Sequence, residues 1–443
     1  MPDAPFPSPL PAPSPISWKR NLVVVWLSQF FSMMGFSFAM PFAPFYIQQL
    51  GVTDPAALKF WTGLFTASAS LTLAITSPIW GLPADRFGRR LMMLRANFGA
   101  AVVLFLMGFA PNVETLIVLR LVQGVLTGTV GAALTLVAVS TPDDRHGLAF
   151  GTLSAAVFSG TMAGALLGGM SADAFGNAVS FRVAGGIVFI SAMLVLLGVK
   201  ENFVRPERGA GTLPKRRLLR LSPIGPVFPI LVLILMTAFT SSFISPIMPL
   251  FVQRLHGSIR GAATRTGQLS AVAAVSSMLA GFLLGRLADR FSPPKIGKLS
   301  ALGAGLFTVL TGSALGFLML FAGHALALFC AGGLDPVFQV WLTRHTPSEK
   351  RGAILGWSVT AKSIGWMVSA MLSVYLANAV TDLAGEGWFG WTLDPDKSLE
   401  AGYRGVFFAT VIFYLSIIPM IGWVTRRITL NHANGTFEQQ PAK

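Results

Sequence analysis

Long apolar runs, divided by short polar and basic stretches, set the pattern of this chain. About 20 apolar residues in a row is the length that crosses a hydrocarbon core as helix. Twelve such runs are expected, at 21–49, 61–81, 91–110, 114–138, 148–170, 182–199, 226–252, 267–286, 298–317, 323–343, 353–380 and 403–424. They are too long and too numerous for soluble domains, so the pattern predicts an all-helical membrane protein.

The pattern also repeats. A charged turn, Gly81-Leu82-Pro83-Ala84-Asp85-Arg86-Phe87-Gly88-Arg89-Arg90, follows the second run, and Gly285-Arg286-Leu287-Ala288-Asp289-Arg290-Phe291 follows the eighth. Pro41-Phe42-Ala43-Pro44-Phe45-Tyr46-Ile47-Gln48 in the first run parallels Pro246-Ile247-Met248-Pro249-Leu250-Phe251-Val252-Gln253 in the seventh. Thr141-Pro142 to Gly147 parallels Thr346-Pro347 to Gly352, and Phe181-Arg182 parallels Tyr403-Arg404. Three of these features recur at a shift of 204–205 residues, with six runs between equivalents, which marks a parallel duplication of the kind found in transporters. The expected units are 18–199 and 226–427, each a six-helix bundle, joined by a basic linker at 200–225 and flanked by a disordered proline-rich tail at 1–17 and a tail at 428–443.

Composition changes the picture only at its edges. The charged fraction is 12%, against about a quarter in a soluble domain. A net charge of +15 would suit nucleic acid on a soluble fold, but the basic residues lie in short loops between apolar runs, so no nucleic-acid partner is expected. Those residues are also lopsided: 24 fall on the side of the termini and seven on the other, which predicts both termini in the cytoplasm. Cys330 is the one cysteine and the five histidines are scattered, so neither a disulfide nor a metal cluster is expected. No phosphate-binding Gly-Lys-Ser/Thr loop and no catalytic constellation stands out, so the chain reads as a non-enzyme without cofactor.

Residues 81–90 resemble the loop signature of the major facilitator superfamily, Gly-x-Leu-Ala-Asp-Arg-x-Gly-Arg-Arg, with Pro83 in place of its leucine. Arg120-x-x-Gln123-Gly124 resembles the superfamily's fourth-span signature. Gly160 to Gly169, with Gly164 and Gly168 between, resembles the fifth-span signature of drug/proton antiporters, with Ala165 where the pattern has proline, and its glycines are expected to allow close helix packing. The resemblance covers essentially residues 18–427 and extends at the amino end to bacterial multidrug efflux proteins. It implies two pseudo-symmetric six-helix bundles around a central cavity. It also implies a latch in which Asp85, beside Arg86, Arg89 and Arg90, caps the eleventh helix near Arg351. By symmetry Asp289 and Arg290 would face Arg145. A carboxylate at a helix N-terminus is worth about 0.3–1 kcal/mol, a suitable scale for a reversible contact.

Charges inside the runs narrow the candidate site to Arg120, Asp335 and Lys362. Each would cost about 2.5–3.5 kcal/mol at a helix centre, so a paired or functional role is expected. Asp335 lies about nine residues before the end of its run and Lys362 about ten after the start of the next, so the two sit at like depth across a helical hairpin. They form either a static pair or one exchanged against a proton or cargo. The resemblance places an arginine such as Arg120 near the proton-binding acid. The first run holds no acid between Asn21 and Gln48, which leaves Glu114 and Asp335 as candidates. Gln29, Gln123, Phe239, Gln339 and Trp341 are expected to line an apolar cavity with few polar anchors. Pro41, Pro44, Pro246 and Pro249 are expected to bend the first and seventh spans.

The expected function is export of small lipophilic compounds across the bacterial inner membrane by proton antiport and alternating access, by a monomer. An exporter or proton symporter of one metabolite, such as a sugar or siderophore, is the alternative; a non-transporting receptor of the same fold is another. A deep acid matched by a lysine favours neutral, zwitterionic or weakly anionic cargo over polycations.

Overall fold

The computed structural model describes residues 18–142, 145–201, 227–346, 351–386 and 393–433, all helices and their connections. The expected tail at 1–17 and nearly all of the linker lie outside them. Ten helices among the described residues are long and apolar enough to cross a membrane. The seventh span is the short apolar helix Phe228–Ser242, continued by Met248–His256. The ninth is Pro293–Gly312, whose first turns carry Lys295 and Lys298. Twelve helical segments among the described residues therefore stand where the runs placed them, and the last extends through Pro395–Ala433, beyond the expected boundary at 427.

Four spans are broken, in two pairs. The first span is Trp18–Ala39, a 3-10 turn at Met40–Phe42 and then Ala43–Gln49, while the seventh breaks between Ser242 and Met248. Pro41, Pro44 and Pro249 open the segments after these breaks, where a missing N–H costs nothing. Pro246 lies within the turn itself. The sequence did not announce the second pair. The fourth span divides into Val113–Leu126 and Thr129–Ser140 at Gly128, which has φ +117° and so needs glycine. The tenth divides into Phe317–Ala331 and Leu334–Arg344 at Gly332-Gly333, the same place at a shift of 204–205.

The signature turns required a correction. Residues 81–87 are not a turn but the last turns of the helix Pro55–Phe87, and Asp289 lies likewise inside Ala262–Arg290. After the helix Pro55–Phe87 the chain reverses at Gly88, with φ +91°.

The glycines of the fifth span let two backbones touch. A Cβ at Gly160, Gly164 or Gly168 would lie 2.2–2.3 Å from the carbonyl oxygens of Phe30, Met34 and Phe38 in the first span. These are steps of four residues, one helical turn each, so a continuous seam is formed. Gly365 meets the Leu235 carbonyl of the seventh span in the same way, again a shift of 205. Arg182 packs on Gly108 at the end of the third span, and Arg404 donates to the Gly312 carbonyl at the end of the ninth at 2.6 Å. A cation at a helix C-terminus is favourable in both halves.

The apolar cores show how the bundles meet. One cluster, with Phe38, Ile47, Phe239 and Phe251, crosses both halves near the face opposite the termini. Toward the terminal face the core splits: Val25, Met93, Leu136 and Val195 belong to the first half alone, and Ile230, Phe338, Trp341 and Ile421 to the second. Among the described residues, the buried apolar clusters join the bundles at the far face and stay separate toward the termini.

Candidate functional site

A cavity of about 510 Å³ lies between the bundles. All four bend prolines, Pro41, Pro44, Pro246 and Pro249, line it. Thr62, Phe65 and Thr66 face it from the second span, at the i, i+3, i+4 spacing of one helix face. Thr308, Thr311, His324 and Tyr414 extend it into the second bundle. These last residues were missed, because a lone histidine or tyrosine in an apolar run carries no signal of which face it occupies.

Arg120 is the one Lys, Arg, Asp or Glu among the cavity's described lining residues. Its Nε donates to the Phe65 carbonyl at 3.3 Å, its Nη1 donates to Gln123 Oε1, and the guanidinium sits 4.8 Å from the Phe65 ring centre. No described carboxylate lies within ion-pair distance of it. An arginine held by a carbonyl, an amide and a ring keeps donor capacity for an incoming acceptor.

Asp335 and Lys362 meet. Lys362 Nζ donates to Asp335 Oδ2 at 2.7 Å, with the lysine side chain 20% exposed and the aspartate 49%. Asp335 occupies the first turn of Leu334–Arg344, directly after the glycine break, where the helix N-terminus favours a carboxylate. The pair lies on the terminal side of the cavity, seven residues along the tenth span from the lining residue Leu328.

Other expected cavity residues lie elsewhere. Phe239 is buried in an aromatic trio with Phe243 and Phe413, with ring centres 5.0–5.3 Å apart. Trp341 is core, packed beside Phe338. Gln29 is buried and donates to the Thr129 carbonyl at 3.3 Å, across the break in the fourth span. Gln123 serves Arg120 from a buried position, and Gln339 donates to Ser358 Oγ at 3.3 Å. Glu114 is exposed in the first turn of the fourth span, away from the cavity.

The side chains at 81–86 and those of Asp289, Arg290 and Arg351 lie outside the described residues, and with them the contacts of the expected latch. Arg145 is exposed beside the start of the fifth span. What is described next to the signature is a clasp no motif foretold. Glu201 accepts from the backbone N–H of Arg89 at 3.0 Å and of Arg90 at 2.8 Å, capping the third span. Arg90 also donates to the Leu196 carbonyl at 2.6 Å.

Known proteins agree with this architecture. The family model of the Major Facilitator Superfamily matches residues 25–312 and 230–443. The chain is 33% identical over 371 residues to "Multidrug resistance protein MdtG" of Salmonella typhimurium and of Salmonella arizonae, covering 83% of this chain and 91% of each relative. Among solved structures, a bacterial homologue of the human lysosomal transporter Spinster, inward-facing and unoccupied, superimposes with a TM-score of 0.74 at 18% identity, over 97% of this chain and 100% of that one. The nucleoside transporter NupG does so with 0.71 at 11% identity, over 91% and 99%. With two six-span halves about a shared cavity, and with relatives that match across most of its length, this multi-pass membrane protein belongs to the major facilitator superfamily.

Proposed function

We propose that the chain exports small lipophilic compounds of neutral, zwitterionic or weakly anionic character, in exchange for protons and by alternating access. The observation that carries this is the cavity itself: apolar and hydroxyl-bearing walls, with Arg120 as the one full charge among its described lining residues. Such walls accept greasy cargo of varied shape, and a cation without a described carboxylate partner disfavours polycations. Multidrug resistance relatives at 33% identity support the reading.

The bias of basic residues supports a cytoplasmic location for both termini in a bacterial inner membrane. The far face, where the bundles join, is then the outer one. Asp335 carries the exchanged proton in this reading. Protonated, it releases Lys362; deprotonated, it holds it, so the pair has two states that cargo can bias. The test is efflux of a compound panel from vesicles, with the proton gradient intact and then collapsed. Gradient-dependent efflux of neutral and anionic lipophiles is expected. Flux confined to cationic dyes, or flux indifferent to the gradient, overturns the reading.

A further inference from the structure

The far face is closed by polar contacts that cross between the bundles in a symmetric set. At the centre, Gln48 of the first span and Gln253 of the seventh exchange amide hydrogen bonds, Gln48 Nε2 to Gln253 Oε1 at 2.9 Å and the reverse at 3.2 Å. These residues are 205 apart, so each glutamine meets its own repeat equivalent. On one flank Lys59, at the start of the second span, donates to Thr381 Oγ1 near the end of the eleventh at 3.2 Å. On the other flank stands Thr264, the equivalent of Lys59 at a shift of 205. It donates from its N–H at 2.8 Å and from its Oγ1 at 2.5 Å to Asp173 near the end of the fifth span. Asp173 also accepts from the Gly261 N–H at 3.2 Å.

Backbone contact reinforces both flanks. A Cβ at Gly63 would lie 3.1 Å from the Ala370 carbonyl oxygen, and one at Gly267 would lie 2.3 Å from that of Ala165. Ala165 and Ala370 are again 205 apart.

The flanks are alike in place and opposite in charge. Asp173 is exposed and takes three donors, a well-satisfied carboxylate that favours closure. Lys59 is 1% exposed. It bonds a neutral hydroxyl and lies 5.8 Å from the Tyr403 ring, while the carboxylates of Asp382 across the seam and Asp54 on its own side attract it from farther off. The cost of burial exceeds that attraction, so the ammonium gains by hydration when the bundles part and favours opening.

We propose that these three contacts form a balanced latch on the far face, Asp173 and the glutamine pair holding it shut and Lys59 loading it toward release. The latch rests on the alternating-access reading, since something must hold the closed side and yet let go. Hydrogen bonds of modest net worth fit that need, because each shifts a two-state ratio only about two- to tenfold.

The test measures the far face directly. With Cys330→Ser as background, spin labels at Phe109→Cys and Leu315→Cys, exposed sites on the two halves, report the separation of the bundles in nanodiscs without cargo. Asp173→Asn is expected to raise the open-to-closed ratio about two- to tenfold. Lys59→Met is expected to lower it. Gln48→Glu with Gln253→Lys is expected to lower it too, and Gln48→Glu with Gln253→Glu to raise it. Misfolding cannot produce this pattern of opposed shifts. Unmoved distances, or Asp173→Asn and Lys59→Met shifting the same way, overturn the latch. Absent flux with the opposed shifts intact overturns the transport reading and leaves the latch standing.

Discussion

In the first half, the half-buried cation of the cavity, Arg120, leans on a carbonyl, an amide and a phenyl ring and meets no described carboxylate. In the second half, Lys362 is bonded to Asp335 at 2.7 Å. The backbones around them follow one plan, with matching breaks at Gly128 and Gly332 and matching seams at Gly160 and Gly365. Duplication has kept the positions where helices bend and touch, and has let the charges diverge. The second half holds an ion pair, which the proposed function takes as exchangeable against a proton, and the first holds a cation without a described carboxylate partner.

The seams give the harshest way to break this comparison. In the fifth span Gly164 faces the Met34 carbonyl with no room for a side chain, whereas its repeat equivalent in the eleventh span is the buried Ser369. Gly164→Val is expected to destabilise the first half by about 3 kcal/mol or more, as overpacking does when backbone cannot move. Ser369→Ala is expected to cost about 1 kcal/mol. Thermal unfolding in detergent, with the yield of monodisperse protein, measures both. Equal effects would show that the seams are not built differently.

The charged groups come next. Asp335→Asn is expected to cut gradient-driven flux at least about tenfold, the effect of about 1.4 kcal/mol, and to flatten its dependence on pH while downhill exchange of cargo persists. An unchanged pH profile would remove Asp335 from coupling. Arg120→Lys keeps the charge but loses the forked geometry that reaches Gln123 and the Phe65 carbonyl together. It is expected to weaken cargo affinity about three- to tenfold, by roughly 1 kcal/mol, with the pH profile intact. Binding isotherms beside flux measurements separate the two outcomes.

The smallest effect is expected at Glu201. Its carboxylate caps the third span of the first half, and Glu201→Gln should cost about 0.3–1 kcal/mol. A Tm lowered by roughly 1–2 °C is the readout. No change would mean that solvent replaces the cap at no loss.

Much of this was legible in the sequence, for stated reasons. Span positions follow from run length, the duplication from paired prolines and acidic segments, and the seam from glycines one turn apart. The meeting of Asp335 with Lys362 follows from equal depth in adjacent spans. What escaped depends on distance through space. Lys59 reads as one of the basic residues of the far side, yet it is buried, with its ammonium reaching across to Thr381 of the eleventh span. Glu201 reads as a linker residue, and nothing local ties it to amides 111 and 112 positions earlier. Phe239 and Trp341 were expected at the cavity wall, but nothing in the sequence around an aromatic residue says whether it faces a cavity or the core of its own bundle.

The clasp at Glu201 has one more implication. It is the last described residue before the segment that joins the halves, so that segment is tied at its root to the helix following Gly88. Any pull from the second bundle arrives first at the amides of Arg89 and Arg90. Two co-expressed fragments divided just after Glu201 would keep this mooring, whereas a division before Lys200 would hand it to the wrong piece.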